Sequence, residues 1–218
     1  MKVLVYVEGP SDKAAMTALL SPLIEKKKLA GISIDFFDAP EGDKKVSVLT
    51  KVPKRAANII LNDPDALVVA LPDLYPKNKA FPHETVDEPV RGTLKNFESA
   101  LHSKVSKFDT RLKDRFKVFC FKYDLEALLL ASEIALRDRL GLRTLACTWQ
   151  IPVEDQDHDR PPKRIVEELF QQHGKRYVGT VDAPLILGAT AYEDVVDRCQ
   201  QCFKPFVEFL SGLQTSYV

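Results

Sequence analysis

The sequence predicts an α/β fold, a mostly parallel central sheet of about four strands flanked by helices and followed by a helical C-terminal extension. Three observations predict it. Short β-branched or aromatic runs alternate with helix-period segments along the first two thirds of the chain, the pattern of strand–helix–strand units that pair in parallel. One run, ALVVALP at 66–72, is continuously apolar, as suits a strand covered on both faces. The length, 218 residues, buries a sizeable core without disulfides or a structural metal. The expected organisation is an α/β domain over 1–140 and a helical extension over 141–218 packed on the same domain.

The elements follow in order. Residues 2–7 (KVLVYV) are the first strand. The turn EGPSD leads into a helix over AAMTALLSPLIEKKK, in which Pro22 imposes a kink or a break. ISIDFF at 32–37 is the second strand, and the charged segment 41–52 reads as irregular. RAANIIL at 55–61 is a helix that stops near Asn62, Asp63 and Pro64. After the third strand at 66–72, the proline-containing stretch 75–90 shows no apolar periodicity and reads as a loop. Residues 91–103 are helical, with Leu94, Phe97 and Leu101 on one face. FKVFCF at 116–121 is the fourth strand, and DLEALLLASEIALRDRL at 124–140 is one long helix ended by Gly141. The acidic stretch 151–162 is a loop. KRIVEELFQQ and YEDVVDRCQQCFKPFVEFL are two further helices, the last interrupted by Pro205.

Charge narrows the function. Lys plus Arg number 31 and Asp plus Glu number 31, so bulk charge does not hold nucleic acid and any phosphate-binding surface is local. Four cysteines are too few for a disulfide scaffold. The first apolar run is five residues long and meets Glu8, too short for a signal peptide, and no stretch has the length of a membrane span. The expected setting is cytoplasmic. No Walker A motif or dinucleotide fingerprint is present.

In parallel sheets, ligands sit at the carboxyl ends of the strands. Glu8, Gly9 and Asp12 follow the first strand, Asp73 the third, and Lys122, Asp124 and Glu126 the fourth. Carboxylates that converge there repel one another unless a cation lies between them. Mg²⁺ or Mn²⁺ takes oxygen ligands and keeps open water positions, which suits phosphoryl transfer or phosphodiester cleavage. Each residue also has a plainer reading: EGPSD as a capped helix start, Asp73 as a turn residue, Glu126 as a carboxylate in a first helical turn.

The stretches VYVEGPSDKAA and VVALPDLYP resemble the two motifs of the TOPRIM fold, shared by topoisomerases, primases and the overcoming-lysogenization-defect nucleases. Glu8 matches the Glu of its first motif, Asp12 the second acid found in the nuclease branch, and Asp73 the first Asp of the later Asp-x-Asp. Tyr75 stands at the second Asp. A nearer resemblance is to a family of uncharacterised bacterial TOPRIM-like proteins, described as nucleotidyltransferase or hydrolase domains. YDLEALLLA at 123–131, RPPKRIVEELF at 160–170, and Tyr177, Gly179, Cys199 and Cys202 carry it. The resemblance implies a metal-dependent phosphotransfer enzyme, foremost a nuclease on DNA or RNA. Glu8 and Asp73 would be the catalytic and metal-binding carboxylates, with Asp12 and Glu126 completing the metal site. It also implies an ABC- or AAA-type ATPase partner in phage defence. Because Tyr75 removes one carboxylate, the alternative is a catalytically degenerate module that docks on an ATPase or binds a ligand. A nucleotidyltransferase lacks a dedicated nucleotide cradle here.

Other charges have two readings. Lys122 abuts the strand end, where it would steady transition-state charge or simply be a surface lysine. Lys163 and Arg164 would hold phosphate or begin a helix. Lys104, Lys107 and Arg111, with Phe108 for stacking, would track a phosphate backbone or form a solvated face diluted by Asp109 and Asp114. Cys199 and Cys202 are half of a zinc pattern, without a second pair; a buried thiol pair is the better reading. EDQDHD at 154–159 reads as a solvated acidic loop.

Overall fold

The computed structural model describes residues 1–41, 44–75, 84–105 and 109–214. In chain order the elements are β1 (Lys2–Val7), α1 (Pro10–Leu19), α2 (Ser21–Leu29), β2 (Ser33–Asp38), α3 (Lys44–Asn62), β3 (Ala66–Ala70), α4 (Asp87–His102), β4 (Phe116–Val118), α5 (Glu126–Ala131), α6 (Glu133–Leu140), α7 (Pro162–Gln172), α8 (Gly179–Gly188), α9 (Tyr192–Arg198) and α10 (Phe203–Gly212). Short 3₁₀ turns cover Thr110–Arg115 and Val153–Asp155. Among the described residues no helix is long and apolar enough to cross a membrane.

The expected α/β class is observed. Among the described residues, a four-stranded sheet runs β2-β1-β3-β4, with every pairing parallel. The chain divides into two compact units, one of residues 1–9, 24–121 and 213–218, the other of residues 10–23 and 122–212. The boundary expected near residue 140 falls inside the second unit.

The first unit holds the sheet. Its helices α3 and α4 pack through Val48, Val52, Ala56, Ile60, Phe97 and Leu101 onto Tyr6, Val68, Ala70 and Phe116. The segment 41–52, expected to be irregular, is helical from Lys44 onward. Its charges conceal an apolar row that continues through Pro53, which lacks the N–H that would reach the carbonyl of Leu49. The Asn96 side-chain amide of α4 donates to that carbonyl at 2.9 Å instead, so the proline does not break α3. Of the expected loop 75–90, residues 76–83 lie outside the described residues and 87–90 already belong to α4. Arg115 ties the end of α3 to the start of β3, donating to the carbonyls of Ile60, Asp63 and Ala66.

The second unit is helical. All six residues of α5 are buried, and α8 packs closely on α1, where a Cβ on Gly188 would lie 3.4 Å from the Ala18 methyl. The long helix expected over 124–140 is two helices. The Ser132 hydroxyl donates to the Leu128 carbonyl at 2.9 Å, and Ser132 leaves helical geometry at φ −92°, ψ 47°. Helix α8 was not expected; it holds Gly179, Pro184 and Gly188, residue types that ordinarily interrupt helices. The last helical segment breaks at 199–202 rather than at Pro205. Pro205 sits in the first turn of α10, where its missing N–H has no helical partner to lose.

Candidate functional site

Along the chain, β1 leads through α1 and α2 to β2 on one side, and β2 leads through α3 to β3 on the other side of β1. The order therefore reverses between β1 and β3, and the carboxyl ends of these two strands form the topological switch point, where open α/β sheets bind ligands. Glu8 follows β1 directly. Asp73 lies three residues beyond β3. Pairing with the segment after β4 holds it there: Phe121 N–H donates to Pro72 O at 3.0 Å, Leu74 N–H donates to Phe121 O at 2.7 Å, and Asp73 bridges Phe121 in parallel. The backbone N–H of Asp73 donates to Glu8 Oε1 at 3.1 Å. Both acids are half-buried. The structure thus brings the Glu8 carboxylate against the Asp73 backbone.

In the second unit, Asp12 occupies the first turn of α1, and Glu126 begins α5 and is buried. Tyr177 donates its hydroxyl to Glu126 Oε1 at 3.0 Å. Burial, and then the charge of Glu126, hold Tyr177 protonated far above its ordinary range. Asp124 Oδ1 is buried with no hydrogen-bond partner. Burial pushes Asp124 up to about 8, the charge of and hydrogen bond to Glu126 add to this, Lys163 opposes it and Asp12 contributes last. The pair favours holding one proton over carrying two charges. Tyr177 as the donor to Glu126 is a partner the sequence did not reveal, since 51 residues separate them.

The remaining candidates have definite surroundings. Lys122 is ion-paired with Asp155 at 2.7 Å. Lys163 is exposed in the first turn of α7. Arg164 binds Glu168 at 3.0 Å and the Asp159 carbonyl at 3.1 Å. Lys104 is exposed after α4, and Arg111 is held by Asp109. Lys107 and Phe108 lie outside the described residues.

The acidic stretch 154–159 is not simply solvated. Glu154 is 4% exposed and accepts the backbone N–H groups of Gln201 at 2.7 Å, Cys202 at 2.8 Å and Phe203 at 3.3 Å. Cys199 and Cys202 are buried free thiols. Burial, with Glu154 adding, pushes Cys202 up to about 12 and Cys199 higher still, so in this environment both are neutral thiols. Among the described residues no group of three or more His, Cys, Asp or Glu could hold a metal ion. What the switch point offers is a pair of carboxylates, an all-oxygen donor set. That fits Mg²⁺, which binds through one or two carboxylates and takes its other ligands from water and substrate phosphate.

A family model described as a domain of unknown function (DUF4276) matches residues 7–211. The C-terminal region of the Burkholderia pseudomallei OLD protein is similar in structure at 17% identity and a TM-score of 0.45, covering 95% of this chain and 96% of that one. The corresponding region of the Xanthomonas campestris pv. campestris OLD protein is similar at 16% identity and a TM-score of 0.45, covering 96% of each chain. No curated protein matches in sequence.

Proposed function

The chain belongs to the DUF4276 family, and we propose that it is a divalent-metal-dependent phosphotransfer enzyme that acts as a nuclease on DNA or RNA. The observation that carries this reading is the meeting of Glu8 and Asp73 at the switch point, joined by the 3.1 Å hydrogen bond from the Asp73 backbone. In this reading Glu8 and Asp73 hold Mg²⁺ or Mn²⁺. When bound, such an ion polarises a phosphodiester and lowers the pKa of an attacking water. The Asp73 N–H helps to fix the orientation of Glu8. Asp12 and Glu126 are proposed as further ligands on their spacing in the sequence and the TOPRIM resemblance.

The basic groups proposed to meet phosphate are Lys163 and Arg164, and Lys104, Lys107 and Arg111. Lys122 is proposed to steady charge in the transition state, with Asp155 setting its position. Since net charge is zero, affinity for nucleic acid rests on local groups. The sequence resemblance adds a partner ATPase in phage defence and a cytoplasmic setting to the proposal.

A second reading, a degenerate module that docks on a partner or binds a ligand, is favoured by Tyr75 in place of the second Asp. Cleavage of labelled DNA and RNA with Mg²⁺ and Mn²⁺, by wild type and Glu8→Gln, separates the two. The expected result is metal-dependent cleavage that falls at least about 100-fold in the variant. Equal cleavage by both proteins contradicts the assignment of Glu8, and no cleavage by either favours the second reading.

A further inference from the structure

The second unit carries two clefts lined by none of the candidate site residues. The larger, about 550 Å³, has Leu130, Trp149 and Val153 along its lining with Ile151 and Pro152 beside them. The smaller, about 390 Å³, lies between the start of α6 and the start of α9 and includes Ile134 and Asp194. Glu133, Asp197 and Arg198 line both, so the two are halves of one groove. Single exposed aliphatic side chains need no explanation. Here, however, Ile151 at one end is 79% exposed and Ile134 at the other 66%, and each flanks a concave surface with further apolar lining.

Charge selects the occupant. Glu133, Asp194 and Asp197 line the groove against one cation, Arg198. Arg198 is already engaged with the Ala131 carbonyl at 3.2 Å and Glu133 at 3.4 Å. Glu154 adds negative charge to the larger cleft. Such a surface repels a polyanion and attracts a cation carried beside an apolar group.

We propose that this groove docks a short segment of a partner protein. An aliphatic or aromatic side chain of that segment enters the cleft beside Trp149 and Ile151, and adjoining Lys or Arg side chains lie along Glu133 and Asp197. Apolar anchors give such a complex its affinity and the charges fix its register. The proposal is independent of the nuclease reading, because no residue of the groove belongs to the proposed metal site.

The test is selection of a phage-displayed random peptide library on the full chain. Selected peptides are then synthesised and titrated while the fluorescence of Trp149, the one tryptophan of the chain, is followed. The expected selection is for sequences with an apolar residue next to Arg or Lys. Their binding should weaken at least about tenfold in the Glu133→Gln, Asp197→Asn double variant and in Ile151→Ser, weaken at high salt, and be unchanged in Glu8→Gln. Ile151 is exposed, so its substitution leaves the fold intact and reads the docking surface alone. No selection, selection of acidic or uncharged sequences, or equal binding by wild type and both groove variants overturns the proposal.

Discussion

Replacing Glu154 by alanine removes a carboxylate that is 4% exposed and closes the N-terminus of α10 from 47 or more residues away. The first N–H groups of a helix have no partner within it, and the positive end of the helix dipole favours an anion there. The two short bonds, 2.7 Å to Gln201 and 2.8 Å to Cys202, are charge-assisted and contribute about 1.5–2 kcal/mol each, and the longer one to Phe203 less. Truncation also strands these N–H groups in a partly closed environment. The expected loss is about 4 kcal/mol, within the range for breaking a buried charged contact. Urea unfolding followed by Trp149 fluorescence measures it, since Trp149 is 8% exposed in the folded protein and reports the same unit. At a slope of about 2 kcal/mol per molar, the midpoint falls by roughly 2 M with the slope unchanged. Glu154→Gln, which keeps one acceptor oxygen, should lose about half as much. A fall below about 0.3 M in Glu154→Ala, or identical losses in the two variants, would refute the capping role.

Two further predictions concern the second unit. Asp124, pushed up to about 8 by burial and by Glu126, retains a proton in the folded state that the unfolded chain releases near pH 4, so metal-free protein should lose stability as pH rises from about 4 to 8. Asp124→Asn should flatten this slope and raise stability at pH 8, by at most about 1.4 kcal/mol for each pH unit of the shift; unfolding in the presence of a chelator at several pH values checks it, and a flat wild-type profile would count against it. Gly141 closes α6 at φ +77°, and a Cβ there would meet only Lys175 Nζ at an ordinary 3.6 Å. Gly141→Ala should therefore cost about 1 kcal/mol of backbone strain alone, and a loss above about 3 kcal/mol in urea would point to a steric clash instead.

What the sequence revealed was local. β1 and β3 are apolar runs, and the acids after them, Glu8 and Asp73, fall where strand ends put them. The turn residues mark the strand ends, so the switch point follows from order and parallel pairing. The first half of α3 escaped because Pro53 and flanking lysines mask a core row, and the compensating Asn96 amide comes from another helix. The break at Ser132 depends on a side chain competing for a helical carbonyl, which a strong helical pattern hides. Glu154 looked like part of a solvated acidic stretch because charge ordinarily means exposure. Its partners lie at the start of α10, as Tyr177 lies far along the chain from Glu126. Contacts made across such separations exist only once the helices have packed.

Glu8 and Asp73 are proposed to form a metal centre at the β1–β3 switch point. Mn²⁺ binding, followed by electron paramagnetic resonance on wild type, Glu8→Gln and Asp73→Asn, is the decisive measurement. The expected result is saturable binding by wild type that weakens at least about tenfold in each variant while their urea midpoints hold. Mn²⁺ binding that is equal in all three proteins, or absent from wild type, would contradict it.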